Sequence, residues 1–397
     1  MMRPRVIDLF CGAGGLSHGF QQAGFQVVAG IDHDRDSLKT FELNHVHGVS
    51  IYADIDKLDP SSLGNKFNTK PGELECLIGG PPCQGFSKNR AFRHQNGMFV
   101  DDPRNEMYRY FFSFVDYFKP KVVVIENVPE ILIKKGSEYK DAVLELFEGL
   151  GYHVSYAILN AAEYGVPQLR KRAFFVAGRE KQRVHLPTAI TASGPRPGRR
   201  TPNSVEKIVS GKQRKNGLTV NLELFALPEG PTVWGAIGDL HKSYANSLDG
   251  ESLYGSEPFS EYQSLMRGEQ EKVKNHFPWP LSQRQLCRIM LLSEGQSQLH
   301  LPVELQTKDG YGSAYRRMQS DAQALTITTW MFHPGSGMFT HPFDNRVLTI
   351  REAARIQSFG DDFVFFGRYH SQCRQVGNAV APLVAYNIAK SIKSVLT

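Results

Sequence analysis

A lone cysteine stands in GGPPCQGFS, Gly79 to Ser87, directly behind the largely apolar run Leu74 to Ile78. Pro81 and Pro82 fix two φ angles and remove two N–H donors, so the Cys83 thiol rides on a stiff loop, as a nucleophile requires. Lys88, Arg90 and Arg93 follow within ten positions; positive charge there lowers a thiol pKa and attracts phosphate. A second reactive group closes the run Val122 to Glu126. A carboxyl held partly away from water keeps its proton for donation, although a strand-end Glu can equally be saturated by backbone donors. In PQLRKR, Arg170 and Arg172 share one face if the chain is extended. Two guanidiniums side by side could grip a carbonyl oxygen and a phosphate, or simply line a solvated strand edge.

A cofactor site is suggested nearer the start. FCGAGGLS places Gly12, Gly14 and Gly15 in a turn between a strand and a helix, and Asp32 follows Gly12 by twenty positions. There a carboxylate can accept both hydroxyls of a ribose. Ser17 stands where the third glycine of GxGxxG would be. An adenosine ligand without a pyrophosphate, such as S-adenosylmethionine, therefore suits the turn better than a dinucleotide, while the same turn also serves α/β domains that bind nothing. Asp54 could meet the adenine edge or merely cap a loop.

The elements that must position these groups are legible in outline. Short β-branched runs at Val6–Phe10, Val27–Ile31, Ser50–Ala53, Glu75–Ile78, Lys121–Glu126, His153–Leu159 and Ala173–Ala177 alternate with helix-like segments, the pattern of a doubly wound parallel sheet. Met107, Phe111, Phe114 and Phe118 recur at helical spacing until Lys119-Pro120. Residues 187–342 are rich in Gly, Pro and Ser, with scattered aromatics, and read as a second, smaller, irregular domain. Thr349 and Glu352 then form a capping box for a helix expected to run to Phe359 and stop at Gly360. Val380, Val384, Ile388, Ile392 and Val395 lie on one face of a last helix. Folding that helix back onto the first domain gives a discontinuous arrangement, 1–186 with 343–397 around 187–342.

Composition narrows the class. The 397 residues are 41% hydrophobic, enough for a core, and no run approaches the roughly 20 apolar residues of a bilayer span. A strand-like run begins too early for a signal peptide, so a cytoplasmic protein with no membrane partner is expected. Five cysteines form no CxxC pair or Cys/His cluster, which points to neither a disulfide framework nor a metal site. Between Arg196 and Lys215 seven Lys/Arg face only Glu206, matching the whole net charge of +6. That stretch, with Arg196, Arg199, Arg200, Lys212, Arg214 and Lys215, suggests a polyanion partner, or is simply a solvated basic loop.

Taken together, FCGAGGLS, GGPPCQGFS, IENVPE, PQLRKR, LTIREAARIQSF and RQVGNAVAP resemble, in order, the motifs of the DNA (cytosine-5) methyltransferase family over nearly the whole chain. The resemblance implies an α/β fold, a doubly wound Rossmann-like methyltransferase sheet with a target-recognition domain at 187–342. It implies S-adenosylmethionine held by Phe10, Gly12, Ala13, Gly14, Gly15, Asp32, His33, Asp54, Ile55 and Pro81, with Asn378 and Ala379 closing the methionine end. His33 departs from the commoner tryptophan at the adenine. Cys83 is implied as the nucleophile on a flipped-out cytosine, with Glu126 at ring nitrogen 3 and Arg172, helped by Arg170, at the base carbonyl and flanking phosphate. Ser87 to Val100, hinged at Gly97, would close on DNA, with Gln84, Ser87, Lys88, Arg90 and Arg93 as contacts, and Tyr311 to Trp330 would supply sequence readout. Duplex DNA is the expected partner of a monomeric, nucleoid-associated bacterial enzyme, beside cognate restriction or other defence proteins. Three alternatives stand beside it: a tRNA methyltransferase of the same fold, a non-catalytic relative, and a nicotinamide-dependent oxidoreductase.

Overall fold

The computed structural model describes residues 3–82, 106–133, 138–180, 183–197, 227–307 and 312–396. Each β-branched run forms a strand: β1 (Arg5–Leu9), β2 (Gln26–Asp32), β3 (Val49–Tyr52), β4 (Cys76–Gly79), β5 (Val122–Asn127) and β6 (Tyr152–Asn160), then the two-residue β7 (Gln168–Leu169) and β8 (Lys171–Arg179). All but β7 join one seven-stranded sheet in the order β3-β2-β1-β4-β5-β8-β6. The chain winds outward from β1 through β2 to β3, then crosses back to add β4 and β5 on the other side of β1. The carboxyl ends of β1 and β4 therefore flank the switch point, where open α/β sheets bind ligands.

The sheet is not wholly parallel, in contrast to the reading of strand alternation. β8 runs antiparallel to both β5 and β6. Only 161–170 separates β6 from β8, and these residues hold a 3-10 turn (Ala161–Tyr164) and β7. A parallel return needs a crossover of about a dozen residues or more, usually helical, so a connection this short reverses the strand direction instead.

Helices α1 (Gly15–Gln22), α2 (Arg35–Asn44), α3 (Pro60–Lys66) and α4 (Glu106–Phe118) cover the sheet. The phenylalanine spacing in α4 has its expected effect: Phe111, Phe114 and Phe118 are fully buried against Leu77, Val123 and Ile125. Burying each such ring contributes roughly 1.5–3 kcal/mol. Lys119 leaves the helix at φ +45, with Pro120 behind it.

The chain divides into two compact units: Met1–Asn160, Lys171–Thr188 and Gln357–Thr397 in one, Ala161–Arg170 and Ala189–Ile356 in the other. These limits differ from a split at 187 and 343. β7 leaves the first unit because it pairs with the strand Ala324–Leu325. The helix Ile350–Ile356 stays in the second unit through the buried Arg355–Asp239 ion pair and the Tyr262 hydroxyl, which donates to the Arg355 carbonyl. That helix carries the expected Thr349–Glu352 capping box. It ends at Ile356 rather than Phe359, because Ser358 takes a left-handed backbone at φ +67.

Within the first unit the last helix, Pro382–Leu396, buries Val384, Ile388 and Ile392 and lies along α1. The contact is backbone-close. A Cβ at Gly19 would collide with Ala385 and the Pro382 carbonyl and lie 2.6 Å from the Tyr386 nitrogen. Gly19→Ala should therefore destabilise the chain by about 1–3 kcal/mol, read as a lowered thermal midpoint; an unchanged midpoint would show that the two helices can part at no cost.

Candidate functional site

At the end of β1 the backbone does something only a few residue types tolerate. Phe10 sits at φ +59, followed by Gly12 at φ +52 and Gly14 at φ +92. Left-handed backbone at a phenylalanine costs of order 1–3 kcal/mol and is a mark of functional sites. It sets Phe10 in the wall of two cavities, about 400 Å³ and about 560 Å³, which is the size range of small-molecule sites. Gly14 has no room for a side chain, because a Cβ would lie 2.9 Å from the rings of His45 and Phe41.

Asp32, at the end of β2, organises this turn. Its two oxygens accept N–H donors from Gly12 (2.8 Å) and Asp34 (2.9 Å). An ionised carboxylate has about four acceptor positions, so capacity for a ligand hydroxyl remains. His33 is exposed, with Nδ1 3.5 Å from Asp32. The smaller cavity adds Ile31, Ala53, Asp54, Ile55, Pro82 and Met107. The exposed Asp54 accepts from Lys57 at 2.9 Å, and this hydrogen bond and charge hold its carboxyl below the usual range.

The larger cavity joins Ala13 and Gly15 to Pro81, Glu126, Asn127, Arg172, Asn378 and Ala379. All lie in the first unit, so residues far apart in sequence meet at one switch point. A Cβ on Gly15 would stand 2.5 Å from the Val380 carbonyl oxygen, and one on Gly80 3.1 Å from Glu126 Oε2. Glu126 and Arg172 form an ion pair, Nε to Oε1 3.1 Å, with only 13% and 20% of their side chains exposed.

Arg170 does not share a face with Arg172. The run is interrupted between β7 and β8, and Arg170, 2% exposed, turns inward to donate to the Ile327 carbonyl at 3.1 Å. Strand alternation predicts a common face only while the ladder is unbroken.

Two further residues escape sequence reasoning. Asn127 is 3% exposed, and its Nδ2 donates to the Pro81 carbonyl at 3.0 Å and to the Tyr108 hydroxyl at 2.5 Å. It ties the end of β5 to the proline loop after β4; the only sequence signal is an amide directly after a buried strand. The other is Asp8. It is buried in the wall of the larger cavity, and Ser17 donates to its Oδ2 at 2.5 Å. Ser17, the departure from GxGxxG, thus fills a partner role that glycine could not.

Cys83, Gln84, Ser87, Lys88, Arg90 and Arg93, with the whole of Ser87 to Val100, lie outside the described residues, as do Arg199, Arg200, Lys212, Arg214, Lys215 and Tyr311. Arg196 is described and exposed, in the second unit. Burial pushes the thiols of Cys11 and Cys76 well above their usual value and that of Cys373 up to about 12, so these three are inert apolar residues. Among the described residues no group of three or more His, Cys, Asp or Glu is placed to hold a metal ion, and no helix is long and apolar enough to cross a membrane.

Comparison with known proteins bears on the whole chain. Residues 4–394 match the family model described as C-5 cytosine-specific DNA methylase. The chain is 31% identical to the type II methyltransferase M.AgeI of Thalassovita gelatinovora, over 98% of this chain and 99% of that one. It is 34% identical to M.DdeI of Desulfomicrobium norvegicum, over 98% and 88%. A crystal structure of a putative DNA modification methyltransferase encoded within an E. coli prophage is similar with a TM-score of 0.71, covering 99% of both chains; at 24% identity it speaks for the fold alone.

Burial, opposed by the Ser17 hydrogen bond and reinforced by Asp32, pushes the Asp8 carboxyl up to about 7. Near 4 when unfolded and about 7 when folded, it binds a proton only in the folded chain across that interval. Its contribution to stability is therefore full below about pH 4 and is lost as pH rises through 7, by about 1.4 kcal/mol per unit. In urea titrations at several pH values, Asp8→Asn should gain on the parent protein between pH 5 and 7.5; a constant difference would mean Asp8 is not protonated on folding.

Proposed function

Because the chain belongs to the C-5 cytosine-specific DNA methylase family, we propose that it methylates carbon 5 of a cytosine flipped out of a specific duplex DNA sequence, through a transient covalent bond to Cys83. The observation that carries this reading is the Glu126–Arg172 pair in the cavity wall beside Gly80 and Pro81, two residues before Cys83.

S-adenosylmethionine is the methyl donor of this family, and the two cavities, which share Phe10, Asp32, His33 and Pro82, suit it together. At Gly12 the turn borders open space in the cavity wall, where a ligand can come close to the backbone, and Ser17 is engaged with Asp8 rather than open to a pyrophosphate. Phe10, Gly12, Ala13, Gly14, Gly15, Asp32 and Pro81 would hold it, with His33, Asp54 and Ile55 at the adenine and Asn378 and Ala379 at the methionine end.

Cytosine carbon 5 is not nucleophilic by itself, and the chain's residues supply what is missing. The Cys83 thiolate forms a bond to carbon 6, and the displaced electron pair of the 5,6 double bond makes carbon 5 electron-rich. Glu126 delivers or holds a proton at ring nitrogen 3, so the adduct carries less negative charge. Arg172 donates to the base carbonyl and keeps Glu126 aimed. Bound S-adenosylmethionine supplies an electrophilic methyl group on its sulfonium, which carbon 5 takes up. The hydrogen on carbon 5 then leaves as a proton to a base or water, its electron pair expels Cys83 as thiolate, and ring nitrogen 3 returns its proton to Glu126. A stacked base is unreachable, hence the flip.

Gln84, Ser87, Lys88, Arg90 and Arg93 are proposed to meet DNA as the loop after Cys83 closes, and Arg196 to Lys215 to contact phosphates without reading sequence. Arg170 is assigned to bracing the target-domain backbone rather than to the base. The similarity to type II methyltransferases supports a cognate restriction endonuclease as the biological partner. The tRNA alternative is not carried forward, since the family is one of DNA methylases.

Incubation with labelled S-adenosylmethionine and genomic DNA should transfer label, and methylation sequencing should return the recognised sequence. A duplex with 5-fluorocytosine at the target should be trapped covalently by the parent protein and not by Cys83→Ala. Glu126→Gln should lower the transfer rate by roughly 10²- to 10⁴-fold. Normal methylation by Cys83→Ala would overturn the covalent route.

A further inference from the structure

The second unit holds an exposed tryptophan on a backbone that is anything but loose. Gln168 and Arg170, both buried, clamp Ile327 from its two sides: Gln168 Oε1 accepts from the Ile327 N–H at 2.9 Å, and Arg170 donates to the Ile327 carbonyl at 3.1 Å. The Thr326 hydroxyl adds a bond to the Leu169 carbonyl at 3.0 Å. Three residues on, the Trp330 carbonyl accepts from the Ser336 hydroxyl (2.7 Å) and the His333 N–H (3.0 Å). Its neighbour Met331 is fully buried. Yet the indole itself is 61% exposed, with the Phe332 ring 5.4 Å from it.

Folding gains little from an aromatic left in water, whereas a fixed backbone spares a binding partner the entropy of ordering it. The surroundings indicate the partner. Thr328 and His333, within three residues of it in sequence, are also exposed, so the segment presents a flat ring together with hydroxyl and imidazole groups. A dry protein interface wants an apolar patch; a nucleic acid wants a ring to stack on and polar groups for its backbone.

We infer that Trp330 is a stacking platform for a base of the DNA substrate that has lost a stacking neighbour. This deepens, and rests on, the reading of the chain as a DNA cytosine methyltransferase that extrudes its target. The PQLRKR segment then divides its work: Gln168 and Arg170 brace the platform's backbone, and Arg172 pairs with Glu126.

The test uses the full chain and a short duplex carrying the sequence that methylation sequencing returns. Trp330→Ala should raise the duplex Kd by roughly ten- to a hundredfold, Trp330→Phe should restore it to within a few-fold, and Trp330→Leu should not. The slope of log Kd against log salt should stay that of the parent, since no phosphate contact is lost. The thermal midpoint should hold as well, because the ring is exposed. With Trp234 and Trp279 half-buried, quenching of indole emission on duplex binding should disappear in Trp330→Phe. Parental affinity in Trp330→Ala, rescue by Leu equal to that by Phe, or a shallower salt slope would each overturn the stacking role. A parent protein that neither binds nor methylates DNA would overturn the function itself, a different result.

Discussion

The hydrogen bond from Asn127 to the Pro81 carbonyl is the constraint around which the first unit's cavity is arranged. Sheet pairing already sets β4 beside β5, with Gly79 opposite Ile125. It cannot say where the chain goes after the strands end, because ladder hydrogen bonds stop there. A buried amide with its carbonyl oxygen on Val128 N–H and its nitrogen on Pro81 and Tyr108 fixes both exits together. Two prolines remove most of the remaining freedom of the loop toward Cys83. Glu126, one residue earlier, is then held at the edge of Gly80, and Arg172 reaches it from β8 because β8 runs antiparallel to β5. A parallel β8 would carry Arg172 to the opposite edge of the sheet.

The second unit solves a different problem. Much of its backbone is irregular, and irregular carbonyls buried away from water must still find donors. Guanidinium groups supply them. Arg317 alone donates to the carbonyls of Ile289, Leu292, His341 and Asp344 and to the side chain of Asn345. Arg346 grips Glu352 with two bonds, 2.7 and 2.8 Å, and Arg355 holds Asp239. The Arg346 guanidinium holds the Glu352 carboxyl far below its usual range despite complete burial, while burial pushes His276 and His341 down to about 4. Breaking one partner of such a pair strands a buried charge, which costs several kcal/mol. The unit is therefore specified by polar geometry as well as by apolar packing, one cluster of which gathers around Ile289, Leu292 and Tyr315.

This difference explains what could be read in advance. The strands, α4, the capping box at Thr349 and the apolar face of the last helix were legible because burial repeats along the chain with the period of the element. The second unit has no such period: Arg317 and Arg355 look in sequence like any surface cation. The length of the helix from Ile350 was overestimated for a similar reason, since the left-handed turn at Ser358 has no glycine to announce it.

At the site, the amino-acid sequence by itself determined which chemistry is available: one thiol on a proline-stiffened loop, a carboxyl closing a buried strand, arginines after PQL, and a glycine turn twenty residues ahead of an aspartate. Only the tertiary structure decided how those groups are shared out. It gave Arg172 to Glu126 and Arg170 to Ile327, made Ser17 the partner of Asp8, and assigned Asn127 to the proline loop. Residue type and spacing record which face of a strand or helix is buried, whereas a hydrogen-bond partner is chosen by what the fold brings within about 3 Å. For these groups that partner came from another strand end, a helix or a distant loop, and no local pattern encodes it.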